Sequence, residues 1–448
     1  MNKKAMNKLI NVWMPVLLLV VAVSGCEKNG DTAYSTDFHP RIFDRTGVFT
    51  SPSMIISEGE TASFTGLLFS PAAAVDISWK VDGTEVSTDT AFMFTPQGGG
   101  EYTITLEVSN GGKTTSRTSS ILVNPTDYTL KPYTSVAMAY LSDGGTAAHV
   151  DWGTVTHVAF QCARVLPDGG LDVTAGQTNQ AADEVVARAH INGIPVLLGI
   201  AGRLTGLDGW ALYESNDFGG AIAQPATRQL VVQNVVNYVT ARRMDGVDIM
   251  MTDINSGAYS SNLAAIGPFL ADLRAALPPD ALITVTVATG WQHWEYPDLS
   301  AADWLNVRGF ENGLTVGPGA PRDQPSPFQF MVDGANIWLN HGIPKEKIVL
   351  GIPAFGLQYN GIDDNGNNLD WGSYSYVPYR DIVAADSEAH NKEFIEQAHG
   401  VYFNGIPLVT QKAAYVKENG FKGVYLWAGD YDVTGEKSLM GTIYQILQ

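Results

Sequence analysis

The chain has 448 residues, of which 45% are hydrophobic and 16% are charged. This length corresponds to a few domains of roughly 100 to 200 residues each, and the apolar content excludes bulk disorder. The formal net charge is −19. Because nucleic-acid affinity depends largely on Lys and Arg neutralising phosphates, we expect no nucleic-acid partner.

The N-terminus has the pattern of a secretion signal. Lysines among the first eight residues precede an apolar run over residues 16–23, which is too short to cross a bilayer. The run ends in Val-Ser-Gly-Cys at Cys26, which resembles a bacterial lipobox and implies cleavage before Cys26 and acylation of its sulfur. We expect a lipoprotein signal peptide at 1–25 and a tether at 26–46; an ordinary signal peptide is the alternative.

Loss of the signal changes both charge and cysteine content. Residues 1–25 contain three Lys and no acidic residue, so their removal takes the net charge from −19 to −22. Cys162 is then the one thiol left beside the acylated cysteine. We therefore expect no internal disulfide and no cysteine-based metal site.

Residues 47–125 read as a small all-β domain. Six strand candidates are separated by turn sequences such as Asp82-Gly83, a pattern typical of a β-sandwich. Trp79 and the segment Gly-Glu-Tyr-Thr-Ile-Thr-Leu at 100–106 resemble the immunoglobulin-like PKD module. The resemblance implies a spacer domain, and residues 124–127 read as a linker. The strand candidates are 53–56, 61–67, 76–81, 91–95, 100–109 and 114–123.

Residues 131–448 change to apolar strands that alternate with amphipathic helical patterns. Eight strands in this rhythm predict a (β/α)8 TIM barrel, with two of the expected helices short or missing. A doubly wound open sheet is the competing architecture, but no Gly-rich phosphate turn follows the first strand. The strand candidates are 135–141, 157–163, 195–201, 246–252, 282–289, 304–310, 347–353 and 423–427. The helical patterns lie at 179–192, 226–242, 260–276, 328–341, 409–418 and 436–447.

The fourth strand carries the most informative motif. Its sequence runs from Asp245 through Asp248, Met250 and Thr252 to Asp253. It resembles the DGxDxDxE signature of family 18 glycoside hydrolases, the chitinases and endo-β-N-acetylglucosaminidases. Further matches follow in chain order at 156–160, 198–202, 306–311, 350–356 and 423–427.

The resemblance implies substrate-assisted chemistry, in which the sugar's own N-acetyl oxygen attacks the anomeric carbon. In the family, a Glu at the motif's last position protonates the leaving oxygen, and an Asp two residues earlier stabilises the acetamido group. This chain has Thr252 and Met250 there. Losing a general acid costs roughly 10² to 10⁴ in rate. We therefore assign no catalytic residue on the motif; Asp253, if a bulge turns it inward, and Glu311 are the fallback acids.

Strand six departs from the family in the same direction. Arg308 takes an inward Met position, and Phe310 replaces a Tyr that helps to hold the acetamido group. We hypothesise that Arg308 pairs with Asp248, because a lone buried charge of either sign is costly. The alternative is that both residues are purely structural.

Aromatic residues are retained near the predicted strand ends. Sugar rings stack their C–H faces on such side chains, and Trp427 matches the Trp that floors the family's central sugar subsite. Loop-anchoring core is the alternative for each of them. The candidate glycan-binding residues are Trp427, Phe310, Glu311, Trp291, Trp294, Trp371, Tyr140 and Trp210.

We expect no cofactor and no metal: the Asp- and Asn-rich segment 363–370 is out of EF-hand register and reads as a turn-rich loop rather than a calcium site. The sequence predicts a non-catalytic, lipid-anchored protein of the cell envelope, at the surface or periplasmic face of the outer membrane. Its ligand is expected to be an N-acetylglucosamine glycan of the chitooligosaccharide or N-glycan type, captured beside the proteins of an uptake system. The alternatives are an active divergent chitinase or endo-β-N-acetylglucosaminidase, and a structural pseudoenzyme that binds protein.

Overall fold

The computed structural model describes most of the chain from residue 39 onward. The described residues are 39–49, 54–72, 74–174, 178–202, 215–250, 260–289, 293–311 and 313–448. Five residues named above lie outside these ranges: Cys26, Trp210, Thr252, Asp253 and Trp291.

The N-terminal region forms small, mostly antiparallel β-sheets around an aromatic core, with Met54–Ser57 paired in parallel to Lys113–Asn124. Trp79 is fully buried, and its ring lies 5.3 Å from the ring of Phe92. The five-stranded sheet has the order Met54–Ser57, Lys113–Asn124, Gly100–Asn110, Asp76–Val81 and Thr84–Ser87. Two-stranded sheets pair Ala62–Phe64 with Phe92–Phe94, and Arg41–Asp44 with Leu67–Ser70. Arg41–Asp44 was expected in the tether; it is a strand because Ile42 joins the buried core of this region.

Eight parallel strands close into a barrel, which confirms the expected TIM fold. The first strand of the barrel, β1 (Val136–Leu141), pairs with both β2 (His157–Val165) and β8 (Gly423–Trp427), so the sheet has no open edge. Most strand residues are buried, as expected for parallel strands covered by helices. The strands are β1 Val136–Leu141, β2 His157–Val165, β3 Val196–Ala201, β4 Gly246–Met250, β5 Leu282–Val287, β6 Trp304–Val307, β7 Ile348–Pro353 and β8 Gly423–Trp427.

The outer helices begin and end at recognisable signals. Helix α3 (Pro225–Arg242) begins at a proline, and the residue that follows it, Arg243, has a left-handed backbone conformation. Helix α7 (Ile406–Asn419) is likewise followed by a left-handed residue, Gly420. In their described residues, the connections after β1 and β5 carry only the 3-10 turns Ala147–His149 and His293–Glu295, in agreement with two short or missing helices. The helices are α1 Thr178–Ile191, α2 Ser215–Ala223, α3 Pro225–Arg242, α4 Ile266–Ala276, α5 Phe328–Asn340, α6 Tyr379–Ala385, α7 Ile406–Asn419 and α8 Leu439–Leu447.

None of the helices in the described ranges has the length and apolar character needed to cross a membrane.

An antiparallel sheet that the sequence analysis did not anticipate is inserted between β7 and α7. Its strand order is Tyr374–Pro378, Phe355–Tyr359, Val401–Phe403 and Phe394–Ile395. The inserted segment also contains helix α6. Because the insertion follows the carboxyl end of β7, it lies on the side of the barrel where TIM-barrel sites are built.

The N-terminal sheets attach to the opposite end of the barrel. Arg243, which precedes β4, donates from its guanidinium to the backbone carbonyls of Asn124, Pro125 and Thr126. Arg188 of α1 forms an ion pair with Glu101 at 3.1 Å. The N-terminal region is thus anchored away from the carboxyl ends of the strands.

Candidate functional site

The first acid of the β4 motif lies outside the barrel mouth. Asp245 directly precedes β4 and accepts hydrogen bonds from the Tyr128 hydroxyl at 2.7 Å and from the Val196 backbone N–H at 2.7 Å. Its other neighbour is Nε2 of His190, at 3.0 Å. Asp245 therefore ties the linker to the amino-terminal end of the barrel and is too far along the strand to contact a ligand at the mouth.

Among the described residues of the motif, Asp248 is the acid that points into the barrel. It is fully buried and accepts hydrogen bonds from side chains on three other strands. Tyr140 of β1 donates at 2.9 Å and Thr286 of β5 at 2.6 Å to Oδ2, while Thr284 of β5 and Asn306 of β6 donate to Oδ1. Burial raises the pKa of the Asp248 carboxyl, and these four donors oppose that shift.

The partner that the sequence analysis assigned to Asp248 was wrong. The Arg308 guanidinium forms its ion pair with the carboxylate of Glu311, three residues further on. Both side chains are 14% exposed. Glu311 adopts a left-handed backbone conformation with φ 65°, and its carboxylate lies against the guanidinium. Asp248 needs no cation because neutral donors from neighbouring strands already surround it.

The ion pair with Arg308 also bears on whether Glu311 can serve as the fallback general acid. A carboxylate in contact with a guanidinium is stabilised in its charged form, whereas a general acid must carry a proton near neutral pH. The contact therefore opposes the role of proton donor for Glu311.

Met250 is the last residue of β4 in the described part of the chain. It lies two positions after Asp248, so the two side chains lie on the same, inward face of the strand. Met250 is partly buried against the barrel core. Its thioether has no proton to give and no charge to balance a cationic intermediate.

Phe310 belongs mainly to the packed interior. Its ring is buried and meets the rings of Phe355 and Tyr425 edge-on, at 5.9 and 6.0 Å. Gly351 makes room for this cluster, since a Cβ there would lie 2.7 Å from the Tyr425 ring. Phe310, a candidate glycan-binding residue, therefore lies within the packed interior of the barrel.

Tyr425 was not identified from the sequence. Its ring is fully buried between Phe310 and Tyr140, and within the described residues its hydroxyl has no hydrogen-bond partner. Burial raises the pKa of Tyr425, so the hydroxyl keeps its proton. A buried polar group without a partner is costly, and this one lies on the inward face of β8, two residues before Trp427.

Trp427 ends β8 at the mouth of the barrel. It is partly buried, and its ring lies 5.1 Å from the ring of Tyr140, inclined by 57°. The Trp427–Ala428 peptide bond is cis. Tyr140 is fully buried, so it supports Trp427 and Asp248 at once instead of offering a free face to a ligand.

Two other candidate aromatics are well exposed but lie apart. Trp371 is 57% exposed in the insertion, beside Gly317 of the segment that follows β6. Trp294 is 54% exposed next to His293, which contacts the end of α5. The structure places Trp294 with the outer helix layer, whereas Trp371 stands on the insertion near the carboxyl ends of the strands.

The donors around Asp248 were also missed from the sequence. Thr284 and Thr286 alternate along β5, which marks one face of that strand, and Asn306 interrupts an otherwise apolar β6. Inward polar residues on neighbouring strands were the available signal, but only the barrel register brings them to one carboxylate.

These features together define a TIM barrel that, in its described residues, carries an inward carboxylate on β4 and a Trp at the end of β8. The model of the family described as glycosyl hydrolases family 18 matches residues 114–432, more than half of the chain, and the chain belongs to that family.

Individual relatives are distant. Chitinase 1 of Aphanocladium album is 24% identical over 275 residues, 53% of this chain and 64% of that protein. A crystal structure of a chitinase from Bacteroides thetaiotaomicron matches with a TM-score of 0.56 at 22% identity, covering 70% of this chain and 96% of that one. The chitinase-like agglutinin RobpsCRA from Robinia pseudoacacia matches with a TM-score of 0.55 at 20% identity, and the match covers 70% of this chain and 100% of that one.

The chain spans between 52% and 64% of the length of the first three curated relatives. At these identities the structural matches establish the fold, and the activity must be argued from the site.

Proposed function

We propose that this protein binds N-acetylglucosamine-containing glycans at the barrel mouth and does not hydrolyse them. The observation that carries the proposal is the state of the inward face of β4. The Asp248 carboxylate accepts hydrogen bonds from four neutral donors, and the next inward side chain on β4 is Met250. Neither supplies an available acid.

Substrate-assisted hydrolysis needs both a proton donor and a carboxylate beside the acetamido group. The sequence has Thr252 at the position of the donor, and a hydroxyl is too weak an acid for that task. Without either group, binding energy is available for holding a sugar chain but not for reaching the transition state.

The aromatic residues support a binding role. Trp427 is only partly buried and lies beside Tyr140 at the barrel mouth, and an indole in such a position can stack on the apolar C–H face of a sugar. Trp371 offers a second exposed indole on the insertion. The known relatives include proteins named as chitinases and one named as a chitinase-like agglutinin, so by analogy this fold serves both catalysis and binding.

The test combines product analysis with calorimetry on the same purified protein. Chitooligosaccharides and N-glycoproteins should yield no new reducing ends, with an active family 18 chitinase as the positive control. Calorimetry should detect binding of at least one of these glycans. Trp427→Ala should weaken it about tenfold, the equivalent of one good aromatic contact, and Trp427→Phe should retain part of the affinity.

Two outcomes would overturn the proposal in different ways. New reducing ends would favour a divergent chitinase or endo-β-N-acetylglucosaminidase, and Asp253→Asn and Glu311→Gln would identify its acid. An absence of heat across the glycan panel, with Trp427→Ala unchanged, would favour a structural pseudoenzyme that binds protein.

We propose that the protein acts at the cell envelope, because its N-terminal sequence resembles a lipoprotein signal. Acylation of Cys26 would attach the protein to the outer membrane, and the tether and β-sheet region would hold the barrel away from the lipid. Mass spectrometry should find acyl chains at Cys26, and Cys26→Ser should release the protein from the membrane fraction. An unmodified, soluble wild-type protein would contradict the anchor.

A further inference from the structure

Two histidines on the outside of the barrel bring their ring nitrogens together. Nδ1 of His293 and Nε2 of His341 are 2.9 Å apart, although the residues are separated by 48 positions in the chain. His293 begins the short turn after β5, and His341 directly follows the last residue of α5. The pair therefore joins a connecting segment to a helix of the outer layer, in an exposed position.

Aromatic neighbours hold both rings in place. His341 stacks on Trp338 with ring centroids 4.8 Å apart, and His293 meets the ring of Trp294 edge-on at 5.4 Å. Trp338 is itself buried and donates from its indole N–H to the carbonyl of Ala288 at 3.1 Å. Rings that are already positioned lose less conformational entropy when they bind a ligand.

Both imidazoles are suited to coordinate a metal near neutral pH. Burial lowers the pKa of His293, and burial together with the nearby His293 lowers the pKa of His341. A neutral imidazole has a lone pair available for a metal, whereas a protonated one does not. The direct nitrogen–nitrogen hydrogen bond likewise requires that at least one of the two facing nitrogens be unprotonated.

The spacing is close to that of a metal chelate. Zinc–imidazole bonds of ~2.0 to 2.1 Å at a tetrahedral angle separate two ligating nitrogens by roughly 3.4 Å. The observed 2.9 Å needs to open by only a few tenths of an ångström, within the reach of small side-chain rotations. In the described part of the chain, no three His, Cys, Asp or Glu side chains converge on a point, so water would fill the remaining positions.

We propose that His293 and His341 form a two-histidine site for a divalent transition metal of the zinc, copper or nickel class. Imidazole ligands favour these ions over magnesium and calcium, which prefer oxygen. The ion replaces one hydrogen bond with two coordinate bonds and cross-links the segment after β5 to α5. The site is independent of the barrel mouth and of the glycan-binding proposal.

Zinc titration of tag-free, chelator-treated protein tests the site. Calorimetry should give one zinc ion per chain, and Cu²⁺ in its place should show nitrogen coupling in its electron paramagnetic resonance spectrum. His341→Ala and His293→Ala should each weaken zinc binding at least about tenfold, since losing even an orienting outer-shell group costs roughly 10- to 100-fold. Magnesium should not compete.

A matched control is His390→Ala. His390 is also a surface histidine, but its Nδ1 contacts the Ser387 carbonyl and its Nε2 contacts Asn391. Its removal should leave zinc affinity unchanged. His341→Gln keeps a planar group against Trp338 and guards against loss of folding in the alanine variant.

Absence of stoichiometric zinc binding would overturn the proposal. So would equal zinc affinity in the wild type, His341→Gln and His293→Ala, because the ion would then be bound elsewhere.

Discussion

Asp248 illustrates how a single position is decided by the residues around it. The sequence identified it as an inward acid of β4 and led to the hypothesis that it pairs with Arg308. In the structure, hydroxyl and amide donors from β1, β5 and β6 satisfy both carboxylate oxygens. Arg308 instead contacts Glu311, which lies closer along the same segment. Buried carboxylates need hydrogen bonds, and neutral donors meet that need without burying a second charge.

A graded pair of substitutions measures this cluster. Asp248→Ala removes the acceptor that four buried donors share and should lower the free energy of unfolding by about 3 kcal/mol or more. Tyr140→Phe removes a single donor and should cost about 1 kcal/mol. Urea unfolding followed by fluorescence gives both values, and equal effects of the two substitutions would contradict the shared cluster.

Helix α7 shows what an amphipathic pattern leaves undecided. The pattern predicted a helix over 409–418, and the structure extends it to Ile406–Asn419. Lys412 on this helix is fully buried, and its Nζ donates to the backbone carbonyl and hydroxyl of Ser326, at 2.7 and 2.8 Å, and to Asn404 at 2.6 Å. The lysine thus joins α7 to the segment before α5. A lysine on a helix is normally read as exposed, so only packing identifies this one.

The buried lysine predicts a dependence of stability on pH. Burial lowers the pKa of Lys412 from 10.5 to about 7. Between these values the unfolded chain binds more protons than the folded one, so the contribution of Lys412 to stability rises with pH from about 7 to about 10. Lys412→Met should flatten the free energy of unfolding over this range.

Urea unfolding at pH 7, 8 and 9 checks this expectation. Lys417→Met is the matched control, because Lys417 lies on the same helix at an exposed position. The control should keep the pH slope of the wild type. An unchanged slope in Lys412→Met would refute the assignment.

The whole molecule combines two β architectures through a small set of polar contacts. Arg243 donates to three consecutive backbone carbonyls of the linker, and Tyr128, directly after the linker, donates to Asp245. Arg188 and Glu101 add an ion pair. These contacts gather at the amino-terminal end of the barrel, so the mouth is left to face away from the N-terminal sheets. The first acid of the family motif is thereby used for assembly of the molecule.

Arg243→Ala tests whether these contacts unite the two regions. Charge-assisted hydrogen bonds contribute about 1.5 to 3 kcal/mol, so their loss should separate thermal unfolding into two transitions in calorimetry and expose the linker to protease. Arg117→Ala, at an exposed position of the N-terminal sheets, should leave a single transition. A single transition in both variants would show that the anchoring does not depend on Arg243.

Much of the barrel was predictable because each of its strands is a short apolar run. Those runs placed every barrel strand to within a few residues, and β8 at its observed bounds, Gly423–Trp427. The insertion between β7 and α7 escaped prediction because its strands are short and alternate with turns, as in Phe394–Ile395 and Val401–Phe403. Such strands are stable only once they pair with one another, which periodicity alone does not reveal.

The sequence by itself determined the barrel, the family resemblance and the replacement of two acids by Met250 and Thr252, since these depend on residue type and local spacing. Only the tertiary structure decided the partners of Asp248, Arg308, Lys412 and the two paired histidines. Each of those contacts joins segments or strands whose side chains meet only in the folded chain, or, for Arg308 and Glu311, depends on a left-handed backbone turn. Such contacts depend on strand register and burial in the folded chain, and the local sequence pattern determines neither.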